Sequence, residues 1–279
     1  MVISILGCGW YGKALAIELI ENGYKVKGST TASEKLRELT DLGIESFIVN
    51  ADNGYSLNHS AFFKCDLLVI CIPPKRKTGE SREYIKKLNL IIEAAKANNI
   101  SRTIYISSTG VYGNNKAEVD ESNDPNPDSE SGKILLEAEE LFKNTKFLST
   151  SIIRFGGLIG PGRHPARFFA GKTLIPNGLA PVNLIHLSDC IAITEAIIAN
   201  SILGYTFNAC HPSHPQKAVF YTKMVEKAGL ARPEFIDELQ EWKKVKSLNL
   251  PILLKYQFFN ASLFDYPYDS IATNQQNRT

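Results

Sequence analysis

Residues 2–23, VISILGCGWYGKALAIELIENG, begin with an apolar run, continue through glycines and end in a stretch with helical spacing of apolar side chains. Gly7, Gly9 and Gly12 form the pattern G-x-G-x-x-G. Between a strand and a helix, these glycines allow a tight turn, a close backbone approach to a pyrophosphate and close helix–strand packing. The stretch therefore predicts a phosphate-binding turn at a helix N-terminus. A plain strand-to-helix turn is the alternative.

The alternation of strand-like and helix-like segments continues to about residue 160. The predicted strands are VISIL (2–6), YKVKGST (24–30), IESFIVN (44–50), DLLVICIPP (66–74), SRTIYISST (101–109) and LSTSIIRFGGLIG (148–160). Near-continuous apolar strands joined by helices are typical of a parallel sheet that is covered on both faces. The sequence therefore predicts an α/β, Rossmann-like, doubly wound sheet, with its ligand at the carboxyl ends of the strands.

After residue 160 the alternation loosens and turn residues become frequent. We expect residues 1–165, with 184–210 returning to them, to form a dinucleotide-binding domain. Residues 166–183 and 211–279 are expected to form a small substrate lobe. The polar tail from about residue 272 is predicted to be disordered.

The composition excludes several classes of partner and site. The 279 residues carry a net charge of +2, with dispersed basic residues, so neither nucleic acid nor a membrane is an expected partner. The five cysteines include no C-x-x-C pair, which favours buried thiols in a reducing compartment. No signal peptide or membrane span is predicted, so we expect a cytoplasmic monomer or homodimer. His211 and His214 stand in a proline-bounded loop without other ligands, so no metal site is predicted.

The end of the second predicted strand bears on the choice of cofactor. An NAD site usually has an acidic residue there, but VKGSTTAS (26–33) contains no acid before Glu34. Ser29, Thr30 and Thr31 instead offer hydroxyl donors to a 2′-phosphate. NADP is therefore favoured, and NAD remains possible. The alternative is that residues 31–34 only form a capping box at the start of a helix.

Several later segments complete a family pattern. YISSTGVYG (105–113), Lys133, RFGGLIGPGRH (154–164) and VNLIHLSDC (182–190) together resemble the extended short-chain dehydrogenase/reductases. That family includes nucleotide-sugar epimerases and dehydratases. The resemblance implies an NAD(P)-binding oxidoreductase or epimerase/dehydratase-like protein that acts on a small carbonyl or nucleotide-sugar-like substrate.

The resemblance also implies roles for individual residues. Ser108 matches the residue that hydrogen-bonds the reacting oxygen, and Lys133 matches the lysine of Tyr-x-x-x-Lys, which binds the nicotinamide ribose. Ser129 stands at the tyrosine position and is expected to cap a helix instead. The glycine spacing also departs from the family's usual G-x-x-G-x-x-G. These departures favour an altered acid/base, with Tyr112 as a substitute acid, or a non-catalytic NADP-binding sensor or regulatory protein. In the latter case, Lys133 is either a cofactor ligand or a solvated surface charge.

The strand ends and the resemblance together define the expected site. The expected cofactor-binding residues are Gly7, Cys8, Gly9, Trp10, Tyr11, Gly12, Ser29, Thr30, Thr31, Asp52, Ile72, Pro73, Pro74, Ser107 and Lys133. The expected catalytic residues are Ser108, Lys133 and Tyr112. The expected substrate-binding residues are Arg154, Arg163 and His186, because two arginines near the cleft mouth suit an anionic group and the histidine matches a family position that lines the cleft.

Overall fold

The computed structural model describes residues 1–51, 57, 60–74 and 81–268. Asp52 and the tail from residue 272 therefore lie outside the described residues. The strands are β1 (Val2–Leu6), β2 (Lys25–Thr30), β3 (Glu45–Ile48), β4 (Leu67–Ile70), β5 (Arg102–Ser108), β6 (Asn115–Val119), β7 (Ser149–Phe155), β8 (Gly157–Ile159), β9 (Leu184–His186), β10 (Thr206–Ala209) and β11 (Trp242–Val245).

Seven of these strands form one parallel sheet in the order β10-β7-β5-β4-β1-β2-β3. The chain builds outward from β1 in one direction through β2 and β3, and in the other direction from β4. The order thus reverses between β1 and β4, and a crevice opens at the carboxyl ends of these two strands. The predicted doubly wound α/β fold is confirmed.

Helices cover both faces of this sheet. Their bounds are α1 (Trp10–Glu21), α2 (Leu36–Asp41), α3 (Ser81–Ala97), α4 (Glu130–Lys143), α5 (Leu187–Ala199), α6 (Lys217–Lys227) and α7 (Asn249–Leu253). Leu15 of α1 and Ile193 of α5 are buried in the apolar cluster on one face. Leu88 of α3 and Phe142 of α4 belong to the cluster on the other face. Burial on both faces explains why the central strands read as continuous apolar runs.

Two short parallel sheets lie outside the central one: β8 pairs with β9, and β6 pairs with β11. Asn183, just before β9, connects the two. Its side-chain amide donates to the carbonyl of Lys243 over 2.9 Å, and its carbonyl oxygen accepts from the amide of Val245 over 2.8 Å. This second layer therefore fixes the C-terminal part of the chain beside the strand ends.

The segment from Tyr256 to Tyr266 is attached to the start of α5 through one buried carboxylate. Asp189 is fully buried and accepts hydrogen bonds from the Tyr256 hydroxyl at 2.7 Å, from the Phe259 amide at 3.2 Å and from the Tyr266 hydroxyl. A carboxylate without such donors would be costly to bury. Three donors from one segment thus tie the C-terminal segment to the central domain.

Within the described ranges, none of the helices has both the length and the apolar character needed to cross a lipid bilayer. All five cysteines are free thiols.

Candidate functional site

A cavity of about 550 Å³ opens at the carboxyl ends of β1, β2, β3 and β4, and we call it the cleft. Its wall includes the glycine-rich turn, the end of β2, the residues after β4 and one face of α3. The lining residues are Leu6, Gly7, Cys8, Gly9, Ser29, Thr30, Thr31, Lys35, Val49, Asn50, Ala51, Cys71, Ile72, Pro73, Glu83, Tyr84 and Lys87.

The glycine-rich turn delivers the N-terminus of α1 to the cleft. Gly9 is the N-cap of α1, and neither a side-chain cap nor an acidic residue occupies the first turn. The first amides of a helix have no acceptor within the helix, and the helix dipole makes this end partly positive. The arrangement is therefore suited to an anion such as a pyrophosphate.

A different steric requirement favours glycine at each of the three positions of the turn. Gly7 has φ +98°, a conformation that side-chain-bearing residues rarely adopt. A Cβ on Gly12 would overlap with the carbonyl oxygen of Gly7, so only glycine lets α1 pack this close. A Cβ on Gly9 would meet nothing within 4 Å. Gly9 thus leaves space open for a ligand, whereas Gly7 and Gly12 serve the fold.

Ser29 holds the turn from behind. Its hydroxyl accepts from the Gly7 amide over 2.9 Å, its carbonyl accepts from the Cys8 amide over 2.8 Å, and the residue is almost fully buried. Ser29 therefore orients the backbone that faces the cleft. Burial raises the pKa of the Cys8 thiol to about 11, so this thiol is protonated at neutral pH.

The chain after β2 does not form the capping box that residues 31–34 could have formed. A 3₁₀ turn at Ser33–Lys35 has Ala32 as its N-cap and no side-chain cap. The Thr30 hydroxyl accepts from the Ala32 amide over 3.1 Å. The capping-box interpretation was wrong, because the capping position falls on an alanine. Thr31 and Lys35 line the cleft instead.

The opposite wall comes from α3, a helix whose part in the site was not predicted from the sequence. Glu83, Tyr84 and Lys87 line the cleft from this helix. The Tyr84 hydroxyl donates to the Ile72 carbonyl at 2.9 Å and lies 2.9 Å from the Tyr105 hydroxyl. Tyr84 thus joins α3 to the loop after β4. No motif marks these residues, because only the packing of α3 brings them over the strand ends.

The remaining expected cofactor residues lie at different positions. Trp10, Tyr11 and Gly12 form the first turn of α1, next to the cleft. The Tyr11 side chain is buried, with its hydroxyl 2.7 Å from that of Thr194, so it contributes its backbone rather than its phenol to this end. The Ser107 hydroxyl is turned away from the cleft and donates to Glu139 over 2.6 Å. Pro74 directly follows the lining residue Pro73.

The residues that match the family's catalytic pattern lie at the end of β5 and the start of α4. The Ser108 hydroxyl is half-buried and accepts from the Gly110 amide over 3.1 Å. Lys133 is exposed, and its Nζ lies 2.9 Å from Oε1 of Glu130. Ser129 accepts from the Gly132 amide over 3.2 Å, so the prediction that it caps a helix is confirmed.

Two expected site residues belong to a buried polar network and are corrected here. Arg154, expected to bind substrate, is 2% exposed and forms an ion pair with Glu139. Its Nη1 donates to the Tyr112 hydroxyl over 2.6 Å. Tyr112, expected as a substitute acid, is 1% exposed, and its hydroxyl also contacts the Asp120 carbonyl and the Asn208 side chain. Burial raises the pKa of Tyr112 above its usual value, which disfavours proton transfer by this phenol.

The other two substrate candidates differ in exposure. His186 is buried, caps α5 through its Nδ1 and stacks on Tyr266 with ring centroids 4.6 Å apart. Arg163 is exposed, and its Cζ lies 4.6 Å from the centroid of the Trp10 ring. Of these two side chains, that of Arg163 is the one that solvent and ligands can reach.

Comparisons with known proteins agree with this geometry. A family model described as NAD(P)H-binding matches residues 7–177. Protein YeeZ of Escherichia coli K12 is 36% identical over 244 residues, which cover 86% of this chain and 89% of YeeZ.

Solved structures extend the likeness to the whole fold. The UDP-N-acetylglucosamine 4-epimerase of Bacillus cereus superposes with a TM-score of 0.77 at 18% identity, over 94% of this chain and 93% of that one. The UDP-glucuronic acid 4-epimerase of Bacillus cereus, solved in complex with NAD, gives a TM-score of 0.74 at 21% identity, over 92% of this chain and 91% of that one. With its glycine-rich turn, its strand order and these matches, the chain belongs to the NAD(P)H-binding family and has an epimerase/dehydratase-like fold.

Proposed function

We propose that this protein binds NADP(H) in the cleft and catalyses an NAD(P)-dependent oxidoreductase or epimerase/dehydratase-like reaction. The substrate is a small carbonyl compound or a nucleotide-sugar-like molecule. The observation that carries the proposal is the uncapped start of α1, where Gly9 leaves open space beside a cavity of about 550 Å³.

The cleft has a part for each portion of an adenine dinucleotide. The first amides of α1 would hold the pyrophosphate. Apolar side chains, including Val49 and Ile72, would flank the adenine ring. Thr31 and Lys35, at the end of β2, would contact the adenine ribose and its 2′-phosphate. Because that end carries hydroxyls and an ammonium group instead of a carboxylate, NADP(H) is the preferred form and NAD(H) the weaker one.

A bound nicotinamide supplies a hydride donor or acceptor at its C4 atom. The hydroxyl oxygen of Ser108 already accepts an amide hydrogen bond, so its own proton is available to a substrate oxygen. Lys133 stands on the first turn of α4 and can exchange Glu130 for the nicotinamide ribose. That exchange is cheap, because an exposed lysine–glutamate pair contributes well under about 1 kcal/mol.

The acid/base is altered from the family pattern. Ser129 is an aliphatic alcohol that caps α4, and it replaces the phenol that Lys133 would activate. The proton in the proposed reaction therefore passes through Ser108 and solvent or substrate hydroxyls. Residues 166–183 and the described part of 211–279 would form the lobe that holds the substrate over this point.

A non-catalytic NADP sensor is the second candidate, and only Ser129 favours it. Calorimetric titration with NADPH and NADH tests the binding step, and we expect NADPH to bind more tightly. Absorbance at the reduced-nicotinamide band then tests net oxidation or reduction of UDP-glucose, UDP-glucuronic acid and an activated aldehyde. Chromatography of the two nucleotide sugars tests epimerisation and dehydration, which return the hydride to the substrate and leave this absorbance unchanged. Dinucleotide binding without turnover of any tested substrate would favour the sensor, and failure to bind either dinucleotide would reject both candidates.

A further inference from the structure

Trp10 connects the start of α1 to the loop that follows β8. It is the first residue after Gly9, and its indole Nε1 donates to the Pro161 carbonyl over 2.7 Å. The Arg163 guanidinium lies over the same ring, with its Cζ 4.6 Å from the centroid. One side chain therefore receives two contacts from the loop beside the phosphate-binding turn.

This loop holds Arg163 in a defined place. The Arg163 amide donates to the Gly160 carbonyl over 2.8 Å, and the Gly160 amide donates back to the Arg163 carbonyl over 3.3 Å. Gly160 and Gly162 have φ values of +145° and +73°, which suit glycine and permit this tight loop. The backbone of Arg163 is thus held by Gly160, and its guanidinium lies over the Trp10 ring.

The charge of Arg163 is left available. In the ranges that the structure describes, no carboxylate lies within 4.0 Å of its guanidinium, whereas Arg154 is neutralised by Glu139. A cation–π contact with one ring leaves N–H groups of a guanidinium able to bind a phosphate. The positive end of α1 begins at Trp10, whose ring contacts this guanidinium. Guanidinium and helix end therefore favour the same anion.

We infer that Arg163, positioned by Trp10, binds the diphosphate of a nucleotide held beside the α1 N-terminus. This inference rests on the proposed function and names the residue that recognises the ligand's charge. The diphosphate belongs to the dinucleotide cofactor or to a nucleotide-linked substrate. Trp10 is the positioning residue, and Arg163 is the ligand to phosphate.

Removing the charge of Arg163 shows whether it binds the diphosphate of the cofactor or that of a substrate. Arg163→Met keeps the unbranched stem and removes the guanidinium, and Arg167→Met, at an exposed arginine four residues on, is the matched control. We expect Arg163→Met to weaken binding about tenfold and to lower its dependence on salt, as loss of one charge-assisted contact predicts. Weaker NADPH binding identifies the cofactor's diphosphate. Weaker binding of UDP to the NADPH-saturated protein identifies the diphosphate of a nucleotide-linked substrate as the group that Arg163 binds.

The role of Trp10 has its own readout. The sequence contains two tryptophans, so Trp242→Phe leaves Trp10 as the reporter of ligand binding by fluorescence. In titrations followed by calorimetry, Trp10→Ala is expected to weaken binding when Arg163 is present and to have little further effect in Arg163→Met. A merely structural tryptophan would lower affinity equally in both backgrounds.

Wild-type affinity of Arg163→Met for both NADPH and UDP, together with Trp10 fluorescence that neither ligand changes, would overturn the inference. The proposed function would stand in that case, because NADPH would still bind. If the wild-type chain binds neither NADPH nor UDP, the proposed function fails, and the inference fails with it.

Discussion

Glu139 and Arg154 form an ion pair inside the protein, with Oε2 and Nη2 2.6 Å apart and side chains that are 0% and 3% exposed. The pair joins α4 to β7, which β5 separates from β4 in the central sheet. Ser107 and Tyr112 complete its hydrogen bonds. A charged pair at this depth is stable only with all its partners present.

Arg154→Met should therefore destabilise the fold strongly. The variant leaves the Glu139 carboxylate buried without its cation, and we expect a loss of about 3–5 kcal/mol in the free energy of unfolding. Urea denaturation measures it. The double variant Glu139→Leu/Arg154→Met, which removes both charges, should recover much of the loss. A loss below about 1 kcal/mol in the single variant would contradict a structural role for the pair.

Gly9→Val should abolish dinucleotide binding and leave the fold intact. Gly9 has φ −79° and ψ −156°, an extended conformation without a positive φ, and a Cβ there would point into open space beside the α1 N-terminus. Calorimetry with NADPH measures binding, and thermal unfolding checks the fold. Gly12→Ala is the contrasting variant: its Cβ would overlap the Gly7 carbonyl, so we expect it to lower stability as well. Undiminished NADPH binding by Gly9→Val would place the pyrophosphate elsewhere.

Lys133→Ala should weaken NADPH binding about tenfold through the loss of one charged contact to the ribose. Lys143→Ala is a matched control on the same helix. Each lysine lies 2.9 Å from a glutamate three residues before it, so both variants lose an equivalent surface pair. Equal NADPH affinities for the two variants would make Lys133 an ordinary surface charge.

Ser129→Tyr tests whether position 129 is a vacated acid position. If the site keeps the family's geometry, a phenol beside Lys133 and Ser108 gives weak NADPH-dependent reduction of an activated aldehyde. The variant also loses the hydrogen bond to the Gly132 amide, at a cost of about 1 kcal/mol in stability. NADPH oxidation is the measurement, and Ser131→Tyr, two residues further along α4, is the control. If wild type already reduces the substrate and Ser129→Tyr lowers that rate, Ser129 is not a vacated acid position.

His211 should make the protein less stable in mild acid. Burial lowers its pKa below the usual value of 6.5, and the hydrogen bond to the Asn260 carbonyl and the nearby Asp189 charge only partly oppose this effect. In the neutral ring, Nδ1 accepts from the Ser213 amide while Nε2 faces the Asn260 carbonyl, at 3.0 Å each.

The sign of this pH effect follows from linkage. The folded pKa lies below the unfolded one, so the stabilisation is fully present above pH 6.5 and is lost as pH falls through the folded pKa. Urea midpoints measured between pH 7.5 and 5 should fall with pH. The urea midpoint of His211→Phe should fall less steeply with pH than that of wild type. Some pH dependence should remain, because burial also lowers the pKa of His214. If the urea midpoint depends equally on pH in the variant and in wild type, His211 does not contribute to the loss of stability in acid.

Local patterns in the sequence were sufficient for the central sheet but not for the whole site. The turn at Gly7–Gly12 and the apolar strands predict the fold because burial on both faces leaves a continuous apolar signal. β6 and β11 were missed, since NKAEV and WKKV are short and rich in charge, and they pair across more than a hundred residues. Helix α3 was predicted, but its place over the strand ends depends on tertiary packing.

Arg154 shows why the substrate-binding prediction went wrong. An arginine at a strand end near the expected substrate mouth suits an anionic ligand. Its partner Glu139 lies on a helix whose acidic residues read as a solvated face. Only the packing of α4 on β7 shows that the two charges neutralise each other in the interior.

The attachment of Asp189 has a consequence for synthesis on the ribosome. The carboxylate and α5 emerge from the exit tunnel well before Tyr256 and Tyr266, which later donate to it. Until then, water must solvate Asp189, so the surrounding apolar surface cannot close. A prematurely terminated chain that lacks these tyrosines thus keeps a hydrated, incompletely packed face, the kind of surface that chaperones and proteases act on. Completion of the C-terminal segment is the step that removes this surface from quality control.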